Sequence, residues 1–207
     1  AIYSLSLHST INASTNAIAK KLNTKASSVT DMIQKLSEKE LVDYKKYKGT
    51  TLTKTGLEVS VEIIRKHRLW EVFLVNHLNY NWDEVHDLAE QLEHINSDSL
   101  IDRLDNFLGF PTHDPHGDPI PDKNGTIEHH KNIMLSSISE NKSCVIVGVK
   151  DSSSTFLNCL DSYKIKLGSI LKVLSKEAFD NSIIIEVDGS QTSISHLISK
   201  NLFVKKL

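Results

Sequence analysis

Long apolar runs are missing from this 207-residue chain. No stretch approaches the ~18–20 residues a membrane span needs, so the chain reads as a cytoplasmic protein. The opening residues, AIYSLSL, lack the basic, apolar, cleavable layout of a leader. They also lack Met and begin on apolar residues, which points to further residues preceding them. Cysteine is scarce: Cys144 and Cys159 form no CxxC and no disulfide framework, as expected for reduced thiols in a cytosolic protein. The H-E-x-x-H pattern of zinc proteases is absent. Cations are nearly absent from one stretch. Between Asp83 and Asp105, eight carboxylates (Asp83, Glu84, Asp87, Glu90, Glu93, Asp98, Asp102 and Asp105) face only Arg103. Such mutual repulsion is what a divalent cation relieves.

What is present sorts by charge. The net charge is −2, but residues 1–57 carry nine Lys against four acids. A basic head on an acidic middle suggests a polyanion-binding part joined to a cation-binding part. A composition of 39% hydrophobic and 24% charged residues describes a globular chain, long enough for one large or two to three small domains.

The basic head reads as helices. Ile2–Leu7 ends one, Ser14-Thr15 caps a second over Asn16–Leu22, and a third runs Ser27–Lys39 after a three-residue break. This is the helix-turn-helix layout. Its second helix opens with small hydroxyl residues suited to phosphates and base edges. The alternation in LVDYKKYKGTTLT predicts a hairpin tipped by Lys45, Lys46 and Lys48, a wing suited to lie on a DNA backbone. Ser27, Ser28, Thr30 and Asp31 are the candidates for reading bases, with Lys25 and Lys35 beside them. A basic hairpin in a protein-binding winged helix is the alternative reading.

A long amphipathic helix, Leu57–Asn76, carries His67 and Glu71, which share a face. A second, Trp82–Ile95, sets His86, Glu90, Glu93 and His94 within an arc of roughly 100°, too concentrated a donor set for packing alone. A third runs Ser97–Leu108 with an apolar stripe that serves a core or a dimer face. The Pro- and Gly-rich loop Gly109–Pro121 contains His113, Asp114, His116 and Asp118; it reads first as a polar turn and second as a metal loop. From Cys144 the period changes to two, in CVIVGV, IKLGSILKVL, SIIIEV and LFVKKL, as in a small SH3-like β-barrel.

Taken in order, the basic winged helix, RKHRLWEVFL, VHDLAEQLEH, SDSLIDRLDNFLGFP, PHGDPIP and the β-rich tail resemble the diphtheria toxin repressor and manganese transport regulator family. The resemblance implies an α+β fold: a winged helix-turn-helix at 1–58, a helical metal-binding and dimerisation domain at 59–122, a linker at 123–143 and an SH3-like domain at 144–207. It implies a homodimer that represses metal-uptake genes by binding double-stranded operator DNA when a divalent metal is bound. It assigns Glu90, Glu93 and His94 to a primary metal site and His67, Glu71 and His86 to an ancillary one. Asp151 matches the acidic or amide ligand that some members add from the SH3-like domain. A further primary ligand comes, in the family, from just before the segment matching Ala1-Ile2-Tyr3, where this sequence offers none. Iron-type members carry a cysteine at Glu90; a carboxylate there favours hard oxygen coordination and points to Mn2+, with Fe2+ the alternative and Zn2+ disfavoured by geometry and availability. The rival reading is a metalloenzyme, a hydrolase or di-metal oxidase using the same His/Glu cluster.

Overall fold

The computed structural model describes residues 1–7, 12–45, 48–127 and 133–207. The chain forms two compact units, Ala1–Ile64 and Arg65–Leu207.

The first unit holds α1 (Ile2–Leu7), α2 (Thr15–Lys21), α3 (Ala26–Glu38), β1 (Val42–Lys45), β2 (Gly49–Leu52) and the start of α4 (Lys54–Leu78). Ser14 caps α2 by accepting from the Ala17 N–H. The helix is stopped by Asn23 at φ 47, with Asn23 N donating to Lys20 O at 3.3 Å and Thr24 N to Ala19 O at 3.0 Å. That pair of bonds satisfies carbonyls the helix end would leave open, and it makes the tight turn between α2 and α3. Ile18, Ala19, Val29, Ile33 and Val42 form the core, flanked by Leu36 and Leu52. β1 and β2 pair antiparallel from Val42↔Leu52 to Lys45↔Gly49. Gly56 lets α4 start against the preceding chain, since a Cβ there would lie 1.8 Å from Leu41 O.

In the second unit, α4 packs Leu69 and Val72 on Ile101, Leu104 and Ile120, and Leu74 on Val85 and Ala89. α5 spans Val85–Leu92 and α6 spans Asp98–Phe107. α5 is shorter than the expected Trp82–Ile95. Asn81–Glu84 is a turn, with Glu84 N donating to Asn81 O at 3.1 Å and Glu84 Oε2 accepting from Asn81 N at 3.1 Å. Glu93 and His94 likewise lie in a turn past the helix end.

The remainder is antiparallel β structure: β3 (Ile133–Met134), β4 (Lys142–Val149), α7 (Ser154–Ser162), β5 (Ile170–Lys176), β6 (Ile183–Val187), β7 (Ser190–Ile194), the short α8 (His196–Ser199) and β8 (Leu202–Lys206). The sheet order is β3-β8-β4-β5-β6-β7, and bulges at Ile146/Gly148 and Val173/Ser175 bend it. Four strands were expected. β7 has no hydrophobic alternation to announce it, and β3 lies inside the segment read as linker. The molecule is α+β, and none of its described helices is long and apolar enough to cross a membrane.

Candidate metal centre and nucleic-acid interface

The centre is built around Glu71, whose side chain is almost fully buried. One turn earlier on α4, His67 Nε2 lies 3.0 Å from Glu71 Oε1. α5 brings His86 Nδ1 to 3.1 Å from His67 Nε2 and 3.5 Å from Glu71 Oε1. From the other side, His116 Nδ1 approaches Glu71 Oε2 at 3.6 Å. Two groups of donor atoms result, His67–Glu71–His86 and Glu71–Asp114–His116, each with its atoms within 4.8 Å of one another. Glu71 belongs to both.

The loop holds its ligand-type side chains by turn chemistry. Asp114 Oδ1 accepts from His116 N at 2.8 Å and Asp118 N at 3.0 Å. Arg68, next to His67 on α4, clamps the same loop: Nε lies 3.4 Å from Asp114 Oδ2 and Nη2 lies 3.2 Å from Asp118 Oδ2. Arg68 Nη1 also donates to Pro119 O. The loop is therefore a polar turn, as first read, and also the wall that carries Asp114 and His116 to Glu71. The sequence signal was present in the D-P-H spacing; what it lacked was any local hint that α4 faces it.

Burial and mutual hydrogen bonding set the charge balance of the group. Burial pushes the Asp114 carboxyl up to about 7, reinforced by the neighbouring Glu71 and Asp118. Burial also opposes charge on His116 and on Glu71. Hydrogen bonds between them overcome it, raising His116 to about 9 and drawing Glu71 far below the usual carboxylate range. His67 is likewise raised against its burial by Glu71 and Glu93. Protons thus stand where a cation would be favoured, amid nitrogen and oxygen donors with no sulfur. Such a set fits Mn2+ or Fe2+.

The assigned ligands are not all gathered into these groups. Glu93 Oε2 bonds His67 Nδ1 at 2.7 Å, tying it to the cluster's edge. Glu90 and His94 are exposed and belong to neither group. Asp151 is half-buried, accepts from Ser153 N at 2.9 Å, and also belongs to neither.

In the first unit, Lys25, Ser27, Asp31 and Lys35 are exposed along α3, and Lys45 and Lys48 on the hairpin. Ser28 and Thr30 are half-buried, the Thr30 hydroxyl donating to Ala26 O at 3.0 Å. Lys46 lies outside the described residues.

Three family models match consecutive parts of the chain. "Iron dependent repressor, N-terminal DNA binding domain" matches residues 1–50, "Iron dependent repressor, metal binding and dimerisation domain" residues 53–122, and "FeoA domain" residues 133–206. A solved manganese-dependent transcriptional repressor in complex with manganese is 35% identical, with TM-score 0.87, over 100% of this chain and 96% of that one. The chain belongs to the family of metal-dependent transcriptional repressors. Among curated members, the HTH-type transcriptional regulator MntR of Oceanobacillus iheyensis is 36% identical over 98 residues, 47% of this chain and 66% of that protein. A probable metal transport system membrane protein of Chlamydia trachomatis is 41% identical over 86 residues, 42% of this chain and 19% of that protein. The alignments span less than two thirds of both curated relatives. The two iron-dependent-repressor models and the solved manganese-dependent repressor lend the metalloenzyme alternative no support.

Proposed function

We propose that this repressor-family chain takes Mn2+ as co-repressor, with Fe2+ as the alternative ion, and binds operator DNA as a cytoplasmic homodimer to restrain metal-uptake genes. The observation that carries the reading is the sulfur-free cluster around buried Glu71 on a chain whose other unit is a basic winged helix. The manganese-bound relative supports the choice of ion. Zn2+ ranks above both ions in intrinsic affinity and is the ion to be excluded by geometry and availability.

The ligands proposed are Glu90, Glu93 and His94 for the primary site, with His67 reaching it through Glu93. For the ancillary site they are His67, Glu71, His86 and Asp151, joined by Asp114 and His116. Bound there, the ion supplies positive charge that offsets the acidic cluster. Lys45, Lys46 and Lys48 meet phosphates, Lys25 and Lys35 flank them, and Ser27, Ser28, Thr30 and Asp31 face the bases. Few of these form bidentate base contacts, so much of the sequence preference lies in DNA shape. The proposed division is 1–58 for DNA, 59–122 for metal and dimerisation, 123–143 as linker and 144–207 as the SH3-like domain. α4 is continuous from Lys54 to Leu78, so a single helix starts in the DNA-binding unit and carries His67 and Glu71. A metal that favours the DNA-competent state contributes a coupling of typically ~1–3 kcal/mol.

The test is fluorescence anisotropy with a duplex taken upstream of a metal-uptake operon, first with chelator and then with Mn2+, Fe2+ or Zn2+. Wild type is expected to bind tightly only with Mn2+ or Fe2+, and Glu71→Ala to lose that metal response. Equal binding with chelator would overturn the proposal.

A further inference from the structure

One helix of the C-terminal β domain has a polar face with a task. Leu157 and Leu160 of α7 are buried in the β-domain core. Ser154, Asn158 and Asp161 are spaced four and three apart, so they share another face. All three grip the same two residues, Trp82 and Asp83, in the turn ahead of α5. Ser154 Oγ donates to Asp83 O at 3.0 Å, and Asn158 Nδ2 donates to Asp83 Oδ2 at 2.9 Å. The Trp82 indole Nε1 donates to Asp161 Oδ2 at 3.3 Å.

Trp82 passes that grip to the metal cluster. Its carbonyl accepts from His116 Nε2 at 2.8 Å, and the Trp82 and His116 rings lie 13° from parallel. With Nε2 committed to a carbonyl, Nδ1 is the nitrogen left facing Glu71, at 3.6 Å. The same domain holds the other side of the loop. Val149 N donates to His116 O at 2.9 Å. Gly117, at φ +87, sits so close to β4 that a Cβ would be 2.2 Å from Val147 O.

We propose that the polar face of α7 is a positioning surface for metal binding. By clamping Trp82–Asp83 it fixes the carbonyl that aims His116 at Glu71, so the C-terminal β domain sets the metal affinity of the Glu71–Asp114–His116 group. The inference rests on the metal-binding reading of that group. Outer hydrogen bonds of this kind fix the tautomer and orientation of a histidine ligand, and losing them typically costs 10–100-fold in affinity. The effect is distinct from lending a ligand: were Asp151 the domain's only contribution, releasing α7's grip would leave affinity unchanged.

The experiment titrates the full chain with Mn2+ and reads free ion by electron paramagnetic resonance. It compares wild type with the Ser154→Ala/Asn158→Ala/Asp161→Ala triple variant and with Asp161→Asn, whose amide oxygen still accepts the indole N–H. The triple variant is expected to weaken one class of Mn2+ site about 10–100-fold and to lose the slowly exchanging His116 Nε2–H resonance of the metal-free chain. Asp161→Asn is expected to keep both. Should the triple variant not fold, Asn158→Ala alone, at an exposed position, carries the same comparison. A folded variant with wild-type Mn2+ affinity and an intact His116 resonance would sink the positioning role. A wild type that binds no Mn2+ would instead refute the metal-site reading, and this inference with it.

Discussion

Glu71 belongs to both donor groups, because imidazoles approach its two carboxylate oxygens from α4 and α5 on one side and from the loop on the other. Its low pKa and the raised pKa values of His67 and His116 are one fact seen from three groups. The consequence for pH has a definite sign. A histidine raised from 6.5 to about 9 stabilises the metal-free fold fully below 6.5, and that stability is lost as pH rises through 9. Asp114, raised to about 7, acts in the same direction from its ordinary value upward. Metal-free protein should therefore lose stability between pH 6 and 9, by an amount of order 3 kcal/mol for His116 at about 1.4 kcal/mol per pKa unit. Thermal unfolding at several pH values in chelator checks this, and a flat profile would contradict it. Mn2+ must displace these protons, so its affinity should rise over the same window. Helical spacing groups His67 with Glu71 and, separately, His86 with Glu90, Glu93 and His94; joining His86 to the first pair is what the family resemblance implies. The part played by Asp114 and His116 was not legible, since their meeting with Glu71 is a contact across more than forty positions of sequence.

Elements were legible in proportion to their periodicity. α2, α3, α4 and α6 fall within a few residues of their expected spans, because caps such as Ser14 and Ser97 and stop signals such as Asn23 act locally. The sequence pattern carries α5 past its true bounds at both ends. The Asn81–Glu84 turn looks helical in composition, and only residues far along the chain, on α7 and at His116, give Trp82 and Asp83 other partners. β7, with the sequence SQTSI, joins the sheet by pairing with β6 and buries only Ile194 at its end. Gly56 illustrates what an element boundary can hide. Its backbone angle demands nothing unusual, yet a methyl group there would meet the Leu41 carbonyl. Gly56→Ala should destabilise the DNA-binding unit by about 1–3 kcal/mol, the usual range for overpacking. Denaturant unfolding should show the fall, and an unchanged midpoint would mean that the start of α4 shifts freely.

At the scale of the whole molecule, the charge asymmetry of the sequence separates the part that meets a polyanion from the part that meets a cation. It could not say how the two are coupled. The coupling proposed here is thermodynamic: if metal tightens DNA binding by some factor, DNA must tighten metal binding by the same factor. The most direct measurement is a Mn2+ titration of the full chain with and without a saturating duplex from upstream of a metal-uptake operon, set against DNA affinity with and without Mn2+. The expected result is that both ratios agree and lie between about 5- and 150-fold. Mn2+ affinity that ignores the DNA would contradict a metal-activated repressor and leave a DNA-binding protein that merely contains an ion.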